Sequence, residues 1–262
     1  MLNDDTFLRY QRQISLVEFG EVGQSRLSQS HVLLIGCGGL GSAAALYLAS
    51  SGVGKLVVVD DDEVDLSNLQ RQVVYRETDI KKEKAVAIAN QLTELNPDSK
   101  VRPIPRRMSD SQLELEVMLA DIVLDCSDNF ATRQQVNRAC FTQKTPLISA
   151  SAIGWKGQFM VFDFPNQQSC YRCLIPFENV EQETRCSDSG IVGPVVGVMG
   201  NLQALSAIQK LATGEFLSDT TQLRIFDGKT LDWVSLAMTQ DSDCSVCSKH
   251  AVDIQETREE SK

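Results

Sequence analysis

The sequence predicts an α/β fold whose first half is a parallel sheet under helices and whose second half extends that sheet with antiparallel strands. Three observations predict it. Short β-rich apolar runs alternate with helical periodicity over the first 150 residues. The pattern then changes to strand-like runs with a single long helix and a hairpin. With 262 residues, 42% apolar and 23% charged, the chain has the ordinary composition of a folded domain, which at this length buries about 70–75% of its unfolded surface.

The elements follow in order. His31–Gly36, Lys55–Asp60, Asp121–Ser127 and Pro146–Ser151 read as strands. Between them, Gly39–Ser51 is rich in Ala and Leu, and Lys82–Asn96 carries Ala85, Ile88, Ala89 and Leu92 at helical spacing. Asn129–Gln143 forms the next helix. Gly157–Asp163, Leu223–Asp227 and Trp233–Met238 are strand-like, with a helix over about 195–211 and a hairpin turning near Gly228-Lys229. Residues 1–250 are expected to form one domain, with a nucleotide-binding core over about 30–150 and the remainder over about 151–250. The polar stretch 176–190 reads as a mobile loop, and the charged tail 251–262 as disordered.

Charge narrows the function classes. The net charge is −10, which argues against a nucleic-acid partner, since phosphate backbones need many cations. The most apolar stretch, His31 to Val59, is broken by six glycines and does not read as a membrane span. The start, Met1-Leu-Asn-Asp-Asp, lacks a signal-peptide pattern, so a cytoplasmic location is expected. In that reducing compartment the eight cysteines are expected to be thiols or metal ligands. Of these, Cys37, Cys126 and Cys140 read as buried small apolar residues.

Gly36-Cys-Gly-Gly-Leu-Gly41 lies between the first strand and first helix, with Asp60 19 residues after Gly41 at the end of the second strand. This is the dinucleotide fingerprint of a Rossmann-like sheet in its proper context. Gly36, Gly38, Gly39 and Gly41 let backbone approach a phosphate at a helix N-terminus, and Asp60 can accept from a ribose hydroxyl. The fingerprint does not say which nucleotide binds. Asn68, Arg71 and Lys84 add donors that suit a triphosphate.

Cys170-Tyr-Arg-Cys173 and Cys244-Ser-Val-Cys247 are two C-x-x-C pairs, a tetrahedral set for structural Zn²⁺. The 70 residues between them do not forbid the site, because loop closure grows slowly with length. A redox dithiol is the competing reading; neither pair is expected to open a helix in a thioredoxin-like unit.

Arg9-Tyr-Gln-Arg-Gln13, the glycine loop, Ser67-Asn-Leu-Gln-Arg-Gln72, Lys84 and Asp125-Cys-Ser-Asp-Asn129 together resemble the ordered motifs of the ubiquitin-activating-like adenylyltransferases, over about residues 7–249. The resemblance implies an ATP-binding sheet and adenylation of the C-terminal glycine of a ubiquitin-like sulfur-carrier protein with MgATP. It implies that Asp60 holds the ribose, Asn68, Arg71 and Lys84 the phosphates, and Asp128 the Mg²⁺. It further implies a homodimer in which Arg12 acts on the partner's site, and a persulfide sulfur donor such as a cysteine desulfurase or rhodanese-type protein. Cys186, in Glu183-Thr-Arg-Cys-Ser-Asp188, matches a relay cysteine that joins the carrier through an acyl disulfide, although its surroundings match only in part.

Ser149-Ala-Ser-Ala-Ile-Gly154, Gly193-Pro-Val-Val-Gly-Val-Met-Gly200 and Phe226-Asp-Gly-Lys229 are most similar to the thiamine-pathway branch, with the molybdopterin branch as the alternative. An NAD-linked oxidoreductase would share the glycine loop and Asp60 but leave Arg71, Lys84, Asp128 and the cysteines without a role. A non-catalytic regulatory subunit should lack part of the ATP set, which is complete here.

Overall fold

A computed structural model describes residues 4–164, 169–176 and 190–248. Two helices, α1 (Asp4–Ile14) and α2 (Gly20–Gln29), precede the sheet. Strand and helix then alternate through β1 (His31–Ile35), α3 (Gly39–Ser50), β2 (Lys55–Val59), α4 (Lys84–Leu95), β3 (Lys100–Ile104), α5 (Asp110–Leu119), β4 (Ile122–Asp125) and α6 (Phe130–Gln143). Next come β5 (Leu147–Ile153), β6 (Lys156–Phe162), the one-turn α7 (Tyr171–Leu174), the long α8 (Gly193–Thr213), β7 (Gln222–Asp227) and β8 (Asp232–Ala237).

The strands form one sheet in the order β3-β2-β1-β4-β5-β6-β7-β8. Pairings are parallel from β3 to β5 and antiparallel from β5 to β8, the expected change of direction. Along β1 the side chains alternate between two cores. Val32 and Leu34 join Leu48, Ile88, Leu92 and Met199 on one face. Leu33 and Ile35 join Leu113, Val117, Val136 and Cys140 on the other. Full burial on both faces explains why these strands read as continuous apolar runs. The order reverses between β1 and β4, so the carboxyl ends of these two strands form the crevice where open sheets of this kind bind ligands.

Five elements lie outside the expected set, among them the one-turn α7. Lys-Val-Arg-Pro-Ile of β3 has a proline and only Ile104 buried, which an edge strand tolerates and a central strand does not. α1 buries only Tyr10 among its residues. α2 carries Gly20 and Gly23 and so has weak helical propensity. α5 buries only Leu113 and Val117, although Ser109 and Gln112 form a capping box. The expected helix over 195–211 runs two residues further each way, started by Pro194 in its first turn and ended by Gly214 at φ +91°. The tail 251–262 and most of 176–190 lie outside the described residues.

A buried ion pair closes the end of β4. Arg133 of α6 and Asp125 of β4 are almost wholly buried, with Nη1 3.6 Å from Oδ2. Arg133 also donates to Ser149 Oγ at 3.1 Å, to the Ala150 carbonyl at 2.9 Å, and to the Ser127 carbonyl. Asp125 accepts from Ser127 Oγ at 2.6 Å and Ser149 Oγ at 3.1 Å. Gln203 of α8 donates to the carbonyls of Asp125 at 2.8 Å and Ile148 at 3.1 Å, tying the second half of the chain to the first. Removing one partner of a buried pair leaves the other charge uncompensated. Arg133→Met is therefore expected to lower stability by about 3–5 kcal/mol in urea unfolding, with a smaller loss when Asp125→Leu accompanies it.

Candidate functional site

The crevice is built from the turn after β1. Gly36 has φ +94°, and a Cβ there would lie 2.6 Å from the Cys126 carbonyl oxygen. A Cβ on Gly41 would lie 1.8 Å from the Gly36 carbonyl oxygen, so the first turn of α3 can pack on the loop only without a side chain. No side chain caps the N-terminus of α3, and Gly38, Gly39 and Leu40 at that end line the crevice, the kind of helix end that can seat an anion. Asp60 holds the loop in place, accepting from Cys37 N–H at 2.6 Å and Asp62 N–H at 2.9 Å. Burial raises the Asp60 pKa, while these N–H donors and Lys84 oppose the shift. Tyr75 closes the turn from behind, donating to the Cys37 carbonyl at 2.8 Å.

The resulting cleft has a volume of about 610 Å³. Gly36, Gly38, Gly39, Asp60, Asn68, Arg71, Lys84 and Asp128 all line it. Gly41 is buried in α3 behind the loop and is not part of its wall. The 3₁₀ turn Leu66–Asn68 begins with a capping box between Asp65 and Asn68, and Arg71 donates to the Ser67 carbonyl at 3.0 Å. Lys84 is buried along its length, and its Nζ meets exposed Asp62 at 2.9 Å. Asp128 is exposed at the rim, on the loop that the Asp125 network fixes. Arg12 is exposed near the end of α1 and does not line this chain's own cleft. Cys186 lies outside the described residues.

The cleft also holds residues to which motif reading gave no role. Arg106 and Arg107 line it, with Arg107 Nε 3.2 Å from Asp61 Oδ2. Their signal is an arginine pair just past a strand, legible only once β3 is recognised. Gln72 and Gln134 line it as well, and both are buried. His31 belongs to the fold: its Nδ1 lies 2.7 Å from the Leu119 carbonyl, away from the cleft residues. Cys37, Cys126 and Cys140 are buried as expected, and burial pushes each thiol up.

The two cysteine pairs converge. The sulfurs of Cys170, Cys173, Cys244 and Cys247 all lie within 4.8 Å of one another. Cys170 and Cys244 sulfurs are 3.7 Å apart and those of Cys173 and Cys247 3.3 Å. A tetrahedron with bonds of about 2.3 Å to Zn²⁺ has sulfurs about 3.8 Å apart, so the set could hold a zinc ion. Asn137 Nδ2 donates to Cys170 Sγ at 3.5 Å and Asp241 N–H to Cys173 Sγ at 3.4 Å, the outer donors that thiolate ligands use. Contrary to expectation the first pair does open a helix, with Cys170 at the N-cap of α7 and Cys173 within it; but α7 has 4 residues, and all four sulfurs meet, unlike an isolated dithiol. Asp60, Asp61 and Asp62 form the other close group of metal-ligating side chains among the described residues, and Asp128 belongs to neither group.

A sequence profile of the ThiF family matches residues 10–246. The chain belongs to the ThiF family. It is 51% identical to the sulfur carrier protein ThiS adenylyltransferase of Escherichia coli K12, over 94% of this chain and 97% of that protein. It is 39% identical to the molybdopterin-synthase adenylyltransferase of the same organism, over 95% of this chain and 99% of that protein. Against the zebrafish adenylyltransferase and sulfurtransferase MOCS3 it is 41% identical, spanning 54% of that longer protein. Among solved structures, E. coli MccB with ATP superposes with a TM-score of 0.78 at 27% identity, over 92% of this chain and 73% of that one.

For this ThiF-family chain the four sulfurs set a direct test. Protein purified without chelator is expected to carry one zinc per chain by elemental analysis. Cys173→Ser and Cys247→Ser are each expected to lower the metal content and the thermal midpoint, since one missing ligand opens the tetrahedron.

Proposed function

We propose that this protein adenylates the C-terminal glycine carboxylate of a small ThiS-like sulfur carrier with MgATP, preparing it for thiocarboxylate formation in thiamine thiazole biosynthesis. The observation that carries this reading is the 51% identity to a ThiS adenylyltransferase over almost the full length of both chains. The 39% identity to the molybdopterin-branch enzyme makes that carrier the less favoured substrate. An oxidoreductase reading would leave the cations along the cleft without a task.

The chemistry suits the residues present. The carrier's carboxylate attacks the α-phosphorus of ATP, the bond from that phosphorus to the bridging oxygen breaks, and pyrophosphate departs. The attacking group is already ionised at neutral pH, so no side-chain base is needed. Electrostatic repulsion is the obstacle, and positioned cations supply most of what the step requires. Asn68, Arg71 and Lys84 would bind the phosphates, with Lys84 exchanging its contact to Asp62 for one to ATP. Asp60 would hold the ribose while keeping the glycine loop in place. Asp128 would hold Mg²⁺, which supplies charge neutralisation for the leaving pyrophosphate when bound. The Cys170, Cys173, Cys244 and Cys247 site would hold Zn²⁺ in a structural role.

Residues 1–250 are taken as one adenylyltransferase domain acting as a homodimer in the cytoplasm. No helix among the described residues is long and apolar enough to cross a membrane. Arg12, exposed and absent from its own cleft, would reach the partner's site. Cys186 would take part in sulfur relay from a persulfide donor such as a cysteine desulfurase or rhodanese-type protein.

Carrier-dependent exchange of pyrophosphate into ATP tests the whole reading. Asp128→Ala and Arg71→Ala are each expected to slow exchange a hundredfold or more, the effect of losing about 2.7–4 kcal/mol of charge stabilisation. Cys186→Ser is expected to retain exchange but lose sulfur transfer to the carrier. Mixing Arg12→Ala with Asp128→Ala subunits is expected to restore one working site per heterodimer, measured after subunit exchange. Failure of recovery with heterodimers formed would remove Arg12 from the partner's chemistry.

A further inference from the structure

Gln134 of α6 is 6% exposed and lines the cleft, and the two ends of its amide fare differently. Its Nε2 donates to the Ile175 carbonyl at 2.7 Å, whereas its Oε1 is buried without a hydrogen-bond partner. Turning the amide over would set Oε1 against the Ile175 carbonyl, acceptor against acceptor, so the unmet atom is the acceptor. A buried acceptor left unmet carries a desolvation penalty, which a ligand recovers by bringing an N–H or O–H.

The chemistry of the ligand follows from the atom. An ionised phosphate or carboxylate only accepts hydrogen bonds and cannot satisfy it. The wall on which Gln134 lies narrows the choice further. Gln135, next along α6, is turned towards the segment after β3, donating to Asp110 Oδ1 at 2.6 Å and to the Met108 carbonyl at 3.5 Å. Gln134 is turned instead towards the segment that leaves α7. The residues assigned above to ribose and phosphates all lie between positions 36 and 84, and none of them belongs to α6. A peptide tail drawn into the cleft presents backbone N–H groups, each of which needs an acceptor once water is excluded.

We propose that Gln134 is a further substrate-binding residue, accepting a backbone N–H from the C-terminal tail of the carrier and so orienting the glycine carboxylate for attack. This rests on the adenylation reading given above and adds to it a contact to the carrier rather than to the nucleotide. A neutral acceptor suits the task, because a carboxylate at this position would repel both the incoming carboxylate and the phosphates.

The test removes the donor and the acceptor separately and together. Two versions of the E. coli ThiS carrier are made by ligation, one ending in N-methylglycine and one with the preceding peptide nitrogen methylated. With the unmodified enzyme, one of the two is expected to raise the carrier KM in pyrophosphate exchange about tenfold, as for a lost hydrogen bond that leaves a buried acceptor unmet. Gln134→Met is close in length and has neither polar atom. It is expected to raise the KM of the unmethylated carrier by a similar factor, while the MgATP dissociation constant, from calorimetry without carrier, stays within about twofold of the unmodified protein's. In that variant the methylated carrier is expected to lose less than about twofold more, because the contact is already gone. A merely structural role through Ile175 would make the two losses multiply, and that result overturns the proposal. So does a rise in the MgATP dissociation constant with the carrier KM unchanged, which would give the acceptor to the nucleotide. The first arm does not depend on how the variant folds: if both methylated carriers keep a KM within about twofold, the Gln134 assignment fails while exchange itself upholds the proposed function. Absence of exchange with the unmethylated carrier overturns the proposed function and this assignment with it.

Discussion

The buried pair between Asp125 and Arg133 is the constraint around which the crevice is arranged. A parallel strand ending at a topological switch point leaves its last carbonyls and the following loop without sheet partners. Here Asp125 takes the Ser127 N–H, Arg133 takes the Ser127 and Ala150 carbonyls, and Gln203 takes the Asp125 carbonyl. Every contact lies behind the loop that carries Asp128, so that carboxylate can face solvent while its backbone is held from the interior. The Cys126 N–H donates to the Ile35 carbonyl at 2.8 Å, and the Cys126 carbonyl forces Gly36 to be glycine. The conformation of the glycine loop therefore depends on the position of β4 as much as on its own sequence.

In an acidic protein a polyanion must be met by locally placed donors. Net charge is −10, and the cleft sets Arg71, Lys84, Arg106, Arg107 and Arg138 among Asp60, Asp61, Asp62, Asp110 and Asp128. Burial of Lys84 makes its charge count for more, because solvent screens it less. Exposed Asp62 balances that charge in the absence of ligand, and an exposed partner is readily exchanged for a phosphate. The helix N-terminus adds positive potential without any net charge.

How much of this was legible in the sequence follows from the physics of each part. Strands buried on both faces announced themselves as apolar runs, and the glycine loop with Asp60 announced its turn, because one local geometry demands those residues. The cysteine pairs were legible because zinc chemistry restricts ligand type and spacing. β3 was hidden by its edge position, which permits Pro103 and leaves Lys100 and Arg102 exposed. α1 and α2 were hidden because their helical signals are weak or their buried faces narrow. Arg133 and Gln203 were invisible as site builders, since nothing local distinguishes a buried Arg on a helix from a solvated one. Their roles depend on partners 8 and 78 residues away in sequence.

The four-cysteine cluster and the cleft both contact one helix, and this links residues 244–247 to the cleft. Asn137 of α6 donates to Cys170 and accepts from the Tyr171 N–H at 2.9 Å. One turn earlier, Gln134 donates to the Ile175 carbonyl at 2.7 Å and lines the cleft. Beside it Arg133 binds Asp125. Three residues along one helix therefore connect the cysteine cluster, the cleft wall and the buried ion pair. A helix held at its first turns by Arg133 and along one side by α7 has little freedom to tilt, and its N-terminal residue Phe130 directly follows Asp128-Asn129. The Asn137 contacts to Cys170 and Tyr171 hold α7 against α6, and α6 in turn follows directly on the loop at the rim. The cysteine cluster thus lies outside the cleft and is still joined to its rim through α6.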